Sequence, residues 1–333
     1  MRAFAALAAV VFLIGPGRAE AGSVFVDRPE VRGFIDDMQE RHGFSRTELT
    51  RLFRKLSPQS RALLAIAPPK DPLAKSWQAY RARFVEPVRI EGGLRFWDTH
   101  RSKLEAARQR YGVPEETIVA IIGVETIYGR NKGRYPTLAT LATLAFDYPP
   151  RADLFLRELE ALLLLSRETG NDPLAYQGSF AGALGIPQFL PSSVRNWGVD
   201  FDGDGQVDLN GSAADAIGSV ANFLASHGWE SDGPIAHPAQ VEGTRYVELL
   251  DGAVLPRLTF SDMKEFGVSA PGAPNVPCVL VDLVTPDAAT EYWLGFRNFY
   301  VITRYNRSSF YAMAVFALSQ EVLARREARL SWR

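Results

Sequence analysis

The sequence predicts a mainly α-helical chain carrying one small β-containing insert, and three observations support this. Helical periods alternate with short breaks from Asp27 to about Gly112, an apolar helical run spans Ile118 to Gly129, and β-rich texture is confined to Gly233 through about Pro286.

In chain order, Met1-Arg2, the apolar stretch Ala3 to Ile14 and the breaker Gly15-Pro16-Gly17 precede Ala19-Glu20-Ala21, the pattern of an export signal over residues 1–21. Its apolar core of about 12 residues is shorter than the roughly 20 that a membrane span requires. No cysteine stands beside the cleavage site. A periplasmic protein with no stable membrane anchor is therefore expected.

Residues 22–112 read as an N-terminal helical domain. Ser45-Arg46-Thr47-Glu48 is a capping box, Pro68-Pro69 interrupts, and Trp77, Tyr80 and Phe84 recur at helical spacing. Residues 113–232 and 290–333 read as a helical core. Pro114-Glu115-Glu116 opens the helix that stops at Gly129, one helix covers roughly Arg151 to Thr169, and another covers Ala213 to His227. A last helix runs from Ser308 to about Arg326. Residues 233–289 form the insert, with Arg245–Leu250 and Val279–Val284 as its expected strands.

The chain has 37 Lys and Arg against 38 Asp and Glu, a net charge of −1 that gives no basic surface for nucleic acid. A single cysteine, Cys278, excludes an intrachain disulfide. His42, His100, His227 and His237 show no paired spacing, which argues against zinc and serine-hydrolase chemistry.

Glu125 is the most informative residue. It lies seven, four and three residues from Ile118, Ile121 and Ile122, so its carboxyl falls on the buried face of an apolar helix. Burial disfavours the ionised form, giving a raised pKa and a proton held near neutral pH, as a general acid needs. The structural alternative is a buried ion paired with an Arg or capped by backbone amides. A second carboxylate is hard to nominate, since Asp147 and Asp153 also suit helix capping.

Asp200, Asp202 and Asp204, Gly205 and the backbone carbonyl of Gln206 fit the opening of an EF-hand loop. Position twelve is Gly211 where a bidentate acid belongs, so Asp215 would close a longer loop over residues 200–215 around Ca2+. A metal-free Asx-Gly turn is the alternative. The glycine-rich segment Gly178 to Ser193 suits both a groove floor and close helix packing.

Four blocks together resemble the lytic murein transglycosylase B family, glycoside hydrolase family 103: Gly123–Gly129, Gly178–Ser193, the aspartate loop with Asp215–Phe223, and Phe299–Ser308. The resemblance implies a lysozyme-like α-domain preceded by a helical domain and interrupted by the insert. It implies cleavage of the β-1,4 bond between N-acetylmuramic acid and N-acetylglucosamine in peptidoglycan glycan strands, leaving 1,6-anhydromuramoyl ends. By the same resemblance Glu125 is the catalytic acid/base, and Tyr80, Arg151, Ser179, Gln188, Phe223, Tyr305 and Asn306 line sugar subsites. The calcium loop falls on Asp200, Asp202, Asp204, Gln206 and Asp215. Two departures bear on subsite preference: Pro150 stands where the family often has a second arginine, and Phe223 where it often has tyrosine. The remaining readings are a hydrolytic muramidase, with Asp147 or another carboxylate activating water, and a non-catalytic peptidoglycan-binding protein.

Overall fold

The computed structural model describes residues 25–67, 76–250, 252 and 254–331. The export segment expected over residues 1–21 and the break expected at Pro68-Pro69 lie outside the described residues. The chain divides into two compact units, residues 1–59 and 60–333. In the first, helices α1 (Pro29–His42) and α2 (Arg46–Phe53) follow a 3-10 turn at Phe25–Asp27. Proline opens α1 and left-handed Gly43 stops it. Ser45 Oγ then accepts the Glu48 N–H at 3.3 Å, the cap that the sequence anticipates.

The second unit contains α3 (Ser60–Ile66), α4 (Trp77–Phe84), α5 (Pro87–Thr99), α6 (Arg101–Tyr111) and α7 (Glu115–Thr126), followed by a two-residue strand β1 (Tyr135–Pro136). After it come α8 (Thr137–Asp147), α9 (Ala152–Thr169), β2 (Gln177–Gly178), α10 (Pro191–Trp197) and α11 (Ala213–Ser226). Ile118 through Ile122 are fully buried, because α7 is apolar on every side and belongs in the core. Trp77, Leu94, Trp97 and Leu104 share that core with α7. Sequence reading does not anticipate α8. Its Thr-Leu-Ala triplets put apolar groups on all faces and leave no amphipathic period.

The insert is an antiparallel five-stranded sheet in the order β4-β6-β7-β3-β5, built from β3 (Ala236–Val241), β4 (Leu258–Thr259), β5 (Val268–Ser269), β6 (Pro277–Leu283) and β7 (Glu291–Gly295). A short helix, α12 (Phe260–Met263), follows β4. Strand β6 explains how the insert is fixed to the helices. Cys278 and Leu280 face a small core with Met263, Val268 and Leu294, while Val279, Val281 and Leu283 alternate into the main helical core. The strand expected at Arg245–Leu250 is instead a 3-10 helix, Arg245–Leu249. Tyr246, Leu249 and Leu250 turn inward at spacings of three and four, which a strand cannot do. Pro238 hid β3 from sequence reading. It is tolerated because β5 pairs only with Gln240 and Val241, leaving β3 with one neighbour at the proline. The chain returns to helix in α13 (Arg297–Tyr305) and α14 (Ser309–Ser331), and α14 packs along α7.

Candidate active site

Glu125 is the penultimate residue of α7, and the helix ends in an unusual turn. Ile127, Tyr128 and Gly129 take φ values of 51°, 58° and 83°, three left-handed residues in succession. A β-branched or aromatic residue enters that region only where its surroundings hold it there. Tyr128 is held by a slot that glycines make. A Cβ added at Gly92, Gly93 or Gly123 would lie 2.8 Å or less from its ring or hydroxyl. The Tyr128 hydroxyl donates to the Arg89 carbonyl at 2.9 Å, and Arg89 Nε donates to the Gly123 carbonyl at 3.0 Å.

Glu125 is partly exposed as a residue but its carboxyl is buried, and the Tyr311 hydroxyl donates to its Oε1 at 2.5 Å. Burial pushes its pKa up from 4.5 to about 7, against the Tyr311 hydrogen bond, which favours the ionised form. Burial and Tyr311 account for the shift, with no second carboxylate and no cation among the causes. Tyr311 itself is driven well above its ordinary value of 10.0 by burial and then by the Glu125 charge, so it stays a donor. The Tyr305 ring stacks on Tyr311 with centroids 6.3 Å apart and planes 15° apart. Burial and the Glu125 charge raise the pKa of Tyr305, and they raise that of Tyr80 as well. Tyr311 of α14 therefore bonds the acid, while Tyr80 of α4 and Tyr305 of α13 feel its charge.

Glu125, Tyr80 and Tyr305 were expected from the sequence, whereas Tyr311 was not. A tyrosine inside Phe310–Phe316 reads as core, and its one available signal is a hydroxyl on an otherwise apolar helix.

Ser179 sits just after β2 in a tight loop, where its Oγ accepts the N–H groups of Ala181 and Ala183 at 3.3 and 3.1 Å. Its hydroxyl hydrogen remains for a ligand. Gln188, left-handed at φ 53°, spends its amide nitrogen on the carbonyls of Lys132 and Gly185 at 3.1 and 2.9 Å. Phe223 differs from expectation: only 5% exposed, it offers no open stacking face. Its ring is packed by Trp197, Phe189 and Tyr305 and stacked on His227 with centroids 4.1 Å apart. It thus backs Tyr305 from behind. Asn306, the residue after α13, is exposed. Arg151 is exposed in a 3-10 turn with its guanidinium 5.6 Å from the Phe155 ring. The eleven residues of α8, about 16 Å of helix, separate that turn from the β1–β2 pair that leads to Ser179.

In the aspartate loop, carboxylate oxygens of Asp200, Asp202 and Asp204 converge within 4.8 Å of one another. Gly203 and Gly205 supply the left-handed turns that this requires. The N–H groups of Gly205, Gly203 and Asp204 point at Asp200 and lower its pKa. Asp215 stands outside this cluster. Fully buried, it accepts the N–H groups of Phe201 and Asp202 on Oδ1 and of Asp208 on Oδ2. As arranged here, Asp215 is a strut for the loop instead of its closing ligand. The three converging carboxylates still fit a hard divalent cation, since like charges so close repel unless one is present.

The sequence model of the transglycosylase SLT domain matches residues 27–320. The membrane-bound lytic murein transglycosylase B of Escherichia coli (strain K12) is 39% identical over 324 residues, 93% of this chain and 88% of that protein. The crystal structure of the soluble lytic transglycosylase SltB1 from Pseudomonas aeruginosa superposes with a TM-score of 0.84 at 42% identity, covering 90% of this chain and all of that one. The Escherichia coli lytic transglycosylase Slt35, solved in complex with calcium, superposes with a TM-score of 0.81 at 38% identity, covering 91% and 95% of the two chains.

Proposed function

The chain belongs to the transglycosylase SLT-domain family, and from that membership we propose how its single carboxyl performs the reaction. It is a peptidoglycan lytic transglycosylase with a lysozyme-like fold. The observation that carries the mechanism is a carboxyl raised to about 7, with a tyrosine donor on it and, among the described residues, no second carboxylate contributing to its shift.

Protonated Glu125 donates to the glycosidic oxygen between N-acetylmuramic acid and N-acetylglucosamine. The substrate's own acetamido oxygen stabilises the positive charge developing at C1, with Ser179 and Asn306 orienting that group. Ionised Glu125 then takes the proton of the C6 hydroxyl as that oxygen bonds to C1, which closes the 1,6-anhydro ring and restores the acid. A retaining or inverting hydrolase needs a second carboxylate as nucleophile or base, whereas among the described residues no carboxylate contributes to the shift at Glu125. Tyr80 and Tyr305 supply the walls beside the acid, and Gln188 and Arg151 line further sugar positions.

Asp200, Asp202, Asp204 and the carbonyl of Gln206 would hold calcium, whose charge would neutralise the loop and add no acid or base to the reaction. The calcium complex of Slt35 supports this assignment. A periplasmic location follows from the export pattern of residues 1–21 and from the substrate. Among the described residues no helix is long and apolar enough to cross a membrane.

Mass spectrometry of soluble products from purified peptidoglycan tests the mechanism. Anhydro ends with no solvent oxygen are expected. Reducing ends would establish hydrolysis, and intact sacculi with bound protein would establish binding alone.

A further inference from the structure

Thr126 follows the acid directly and is fully buried. A helical threonine ordinarily returns its hydroxyl to its own preceding turn. Here the bond to the Ile122 carbonyl is long, 3.4 Å, and the short one crosses sixty residues of chain. Oγ1 donates to the Ile186 carbonyl at 2.8 Å and accepts the Gly129 N–H at 2.9 Å. The Thr126 carbonyl accepts the Asn131 N–H at 2.9 Å. One residue therefore closes the left-handed turn and ties it to the glycine-rich segment.

The receiving end is an arch, Gly185–Gln188, several of whose polar groups are committed. The Ile186 N–H donates to the Leu209 carbonyl at 2.8 Å, the Pro187 carbonyl accepts the Tyr305 hydroxyl at 2.5 Å, and Gln188 Nε2 bonds Gly185 and Lys132. Gly185 is irreplaceable there, because a Cβ would fall 2.4 Å from the Leu209 carbonyl oxygen. The turn after Glu125 is thus gripped on one side by the Tyr128 ring in its glycine slot and on the other by the Thr126 hydroxyl. Ser179 and Gln188 lie on the same glycine-rich segment as the arch.

We propose that Thr126 is a positioning residue: its hydroxyl fixes the placement of the Glu125 carboxyl relative to the segment that seats the sugar. It touches no substrate. The proposal rests on Glu125 as the acid, and Glu125→Gln tests that premise separately. An active E125Q enzyme would remove the premise, whereas the outcomes below bear on Thr126 alone.

Thr126→Val keeps the shape and removes the hydroxyl, and Thr126→Ser keeps the hydroxyl. In T126V kcat is expected to fall about 10- to 100-fold, the range that a displacement of about 1 Å produces, with KM changed less than about threefold. A released arch admits water beside the carboxyl, so its pKa relaxes downward and the alkaline limb of the pH profile moves to lower pH. T126S is expected to recover kcat to within about threefold, with the alkaline limb back at its original pH. A merely structural threonine would lower the fraction of folded enzyme and leave the pH profile and the rate per folded molecule unchanged. That result overturns the proposal, as does a folded T126S enzyme as impaired as T126V. Should T126V not accumulate in folded form, Thr126→Cys supplies the same reading, because a thiol is a weak donor.

Discussion

Glu125 and the aspartate loop put the same functional group to opposite uses. Glu125 is one carboxyl among aromatic and aliphatic groups, and burial raises its pKa to about 7. Asp200 meets water and three backbone N–H groups, which lower its pKa. The first site makes ionisation costly, so a proton is kept until the substrate takes it. The second makes ionisation of Asp200 easy and sets two more carboxylates beside it in a small space, which suits it to a cation. The lesson is that environment, more than residue type, separates a proton donor from a metal cradle.

Removing the buried carboxyl breaks this comparison at its strongest point. Glu125→Gln is expected to lower kcat by about 10² to 10⁴, the usual contribution of general acid–base chemistry, while binding of glycan survives. Activity within tenfold of wild type would defeat the assignment. The same variant reports on stability. The folded-state pKa of Glu125 lies above its ordinary 4.5, so stability from the neutral carboxyl is fully present below about 4.5 and is lost as pH rises through about 7. Glutamine does not ionise. E125Q should therefore gain on wild type across that window by about 3 kcal/mol, read from denaturant unfolding at pH 4 and pH 8. A difference independent of pH would show that the carboxyl ionises freely.

Chelation probes the other site, with an effect on stability and none on the acid. A cation bound only by the folded chain at a hundred times its Kd contributes about 2.7 kcal/mol, and its removal should lower Tm by about 5 to 10 °C. An unchanged melting curve in excess chelator would reduce the aspartate loop to an ordinary turn.

The two sites were unequally legible in the sequence. Both announced themselves by violating a pattern: one acid among isoleucines, and three acids at alternate positions beside two glycines. Their partners carried no such mark. Asp215 was expected to close the loop because a carboxylate was needed and it stood next in sequence, yet its oxygens are consumed by backbone N–H groups. Phe223 was expected to line a sugar subsite because the family resemblance places one at that position, yet four rings already enclose it. Tyr311 went unnoticed because period and hydropathy cannot tell a core ring from one whose hydroxyl meets the acid from a distant helix. Gly92 and Gly93 are unfavourable inside a helix such as α5, and only the three-dimensional slot for Tyr128 gives them a purpose. Local chemistry can be read along a chain, whereas long-range complementarity cannot.

Tyr311 offers the finest test of the comparison, because its hydroxyl is the one group that makes the buried carboxyl slightly resemble the exposed ones. It donates to Glu125 and favours the ionised form, opposing burial. In Tyr311→Phe that donor is gone while the ring remains, so the Glu125 pKa should climb above about 7 and the alkaline limb of the pH profile should move to higher pH. This direction is opposite to that expected on loss of the Thr126 hydroxyl, so the pair separates tuning of the acid from its placement. The proton becomes easier to keep and harder to give, and the carboxyl loses one orienting bond. About a tenfold loss of kcat is expected at neutral pH, near the energy of one hydrogen bond to a charged group. A limb that stays in place, or moves to lower pH, would mean that burial alone sets the proton affinity of Glu125 and that Tyr311 serves only to pack α14 against α7.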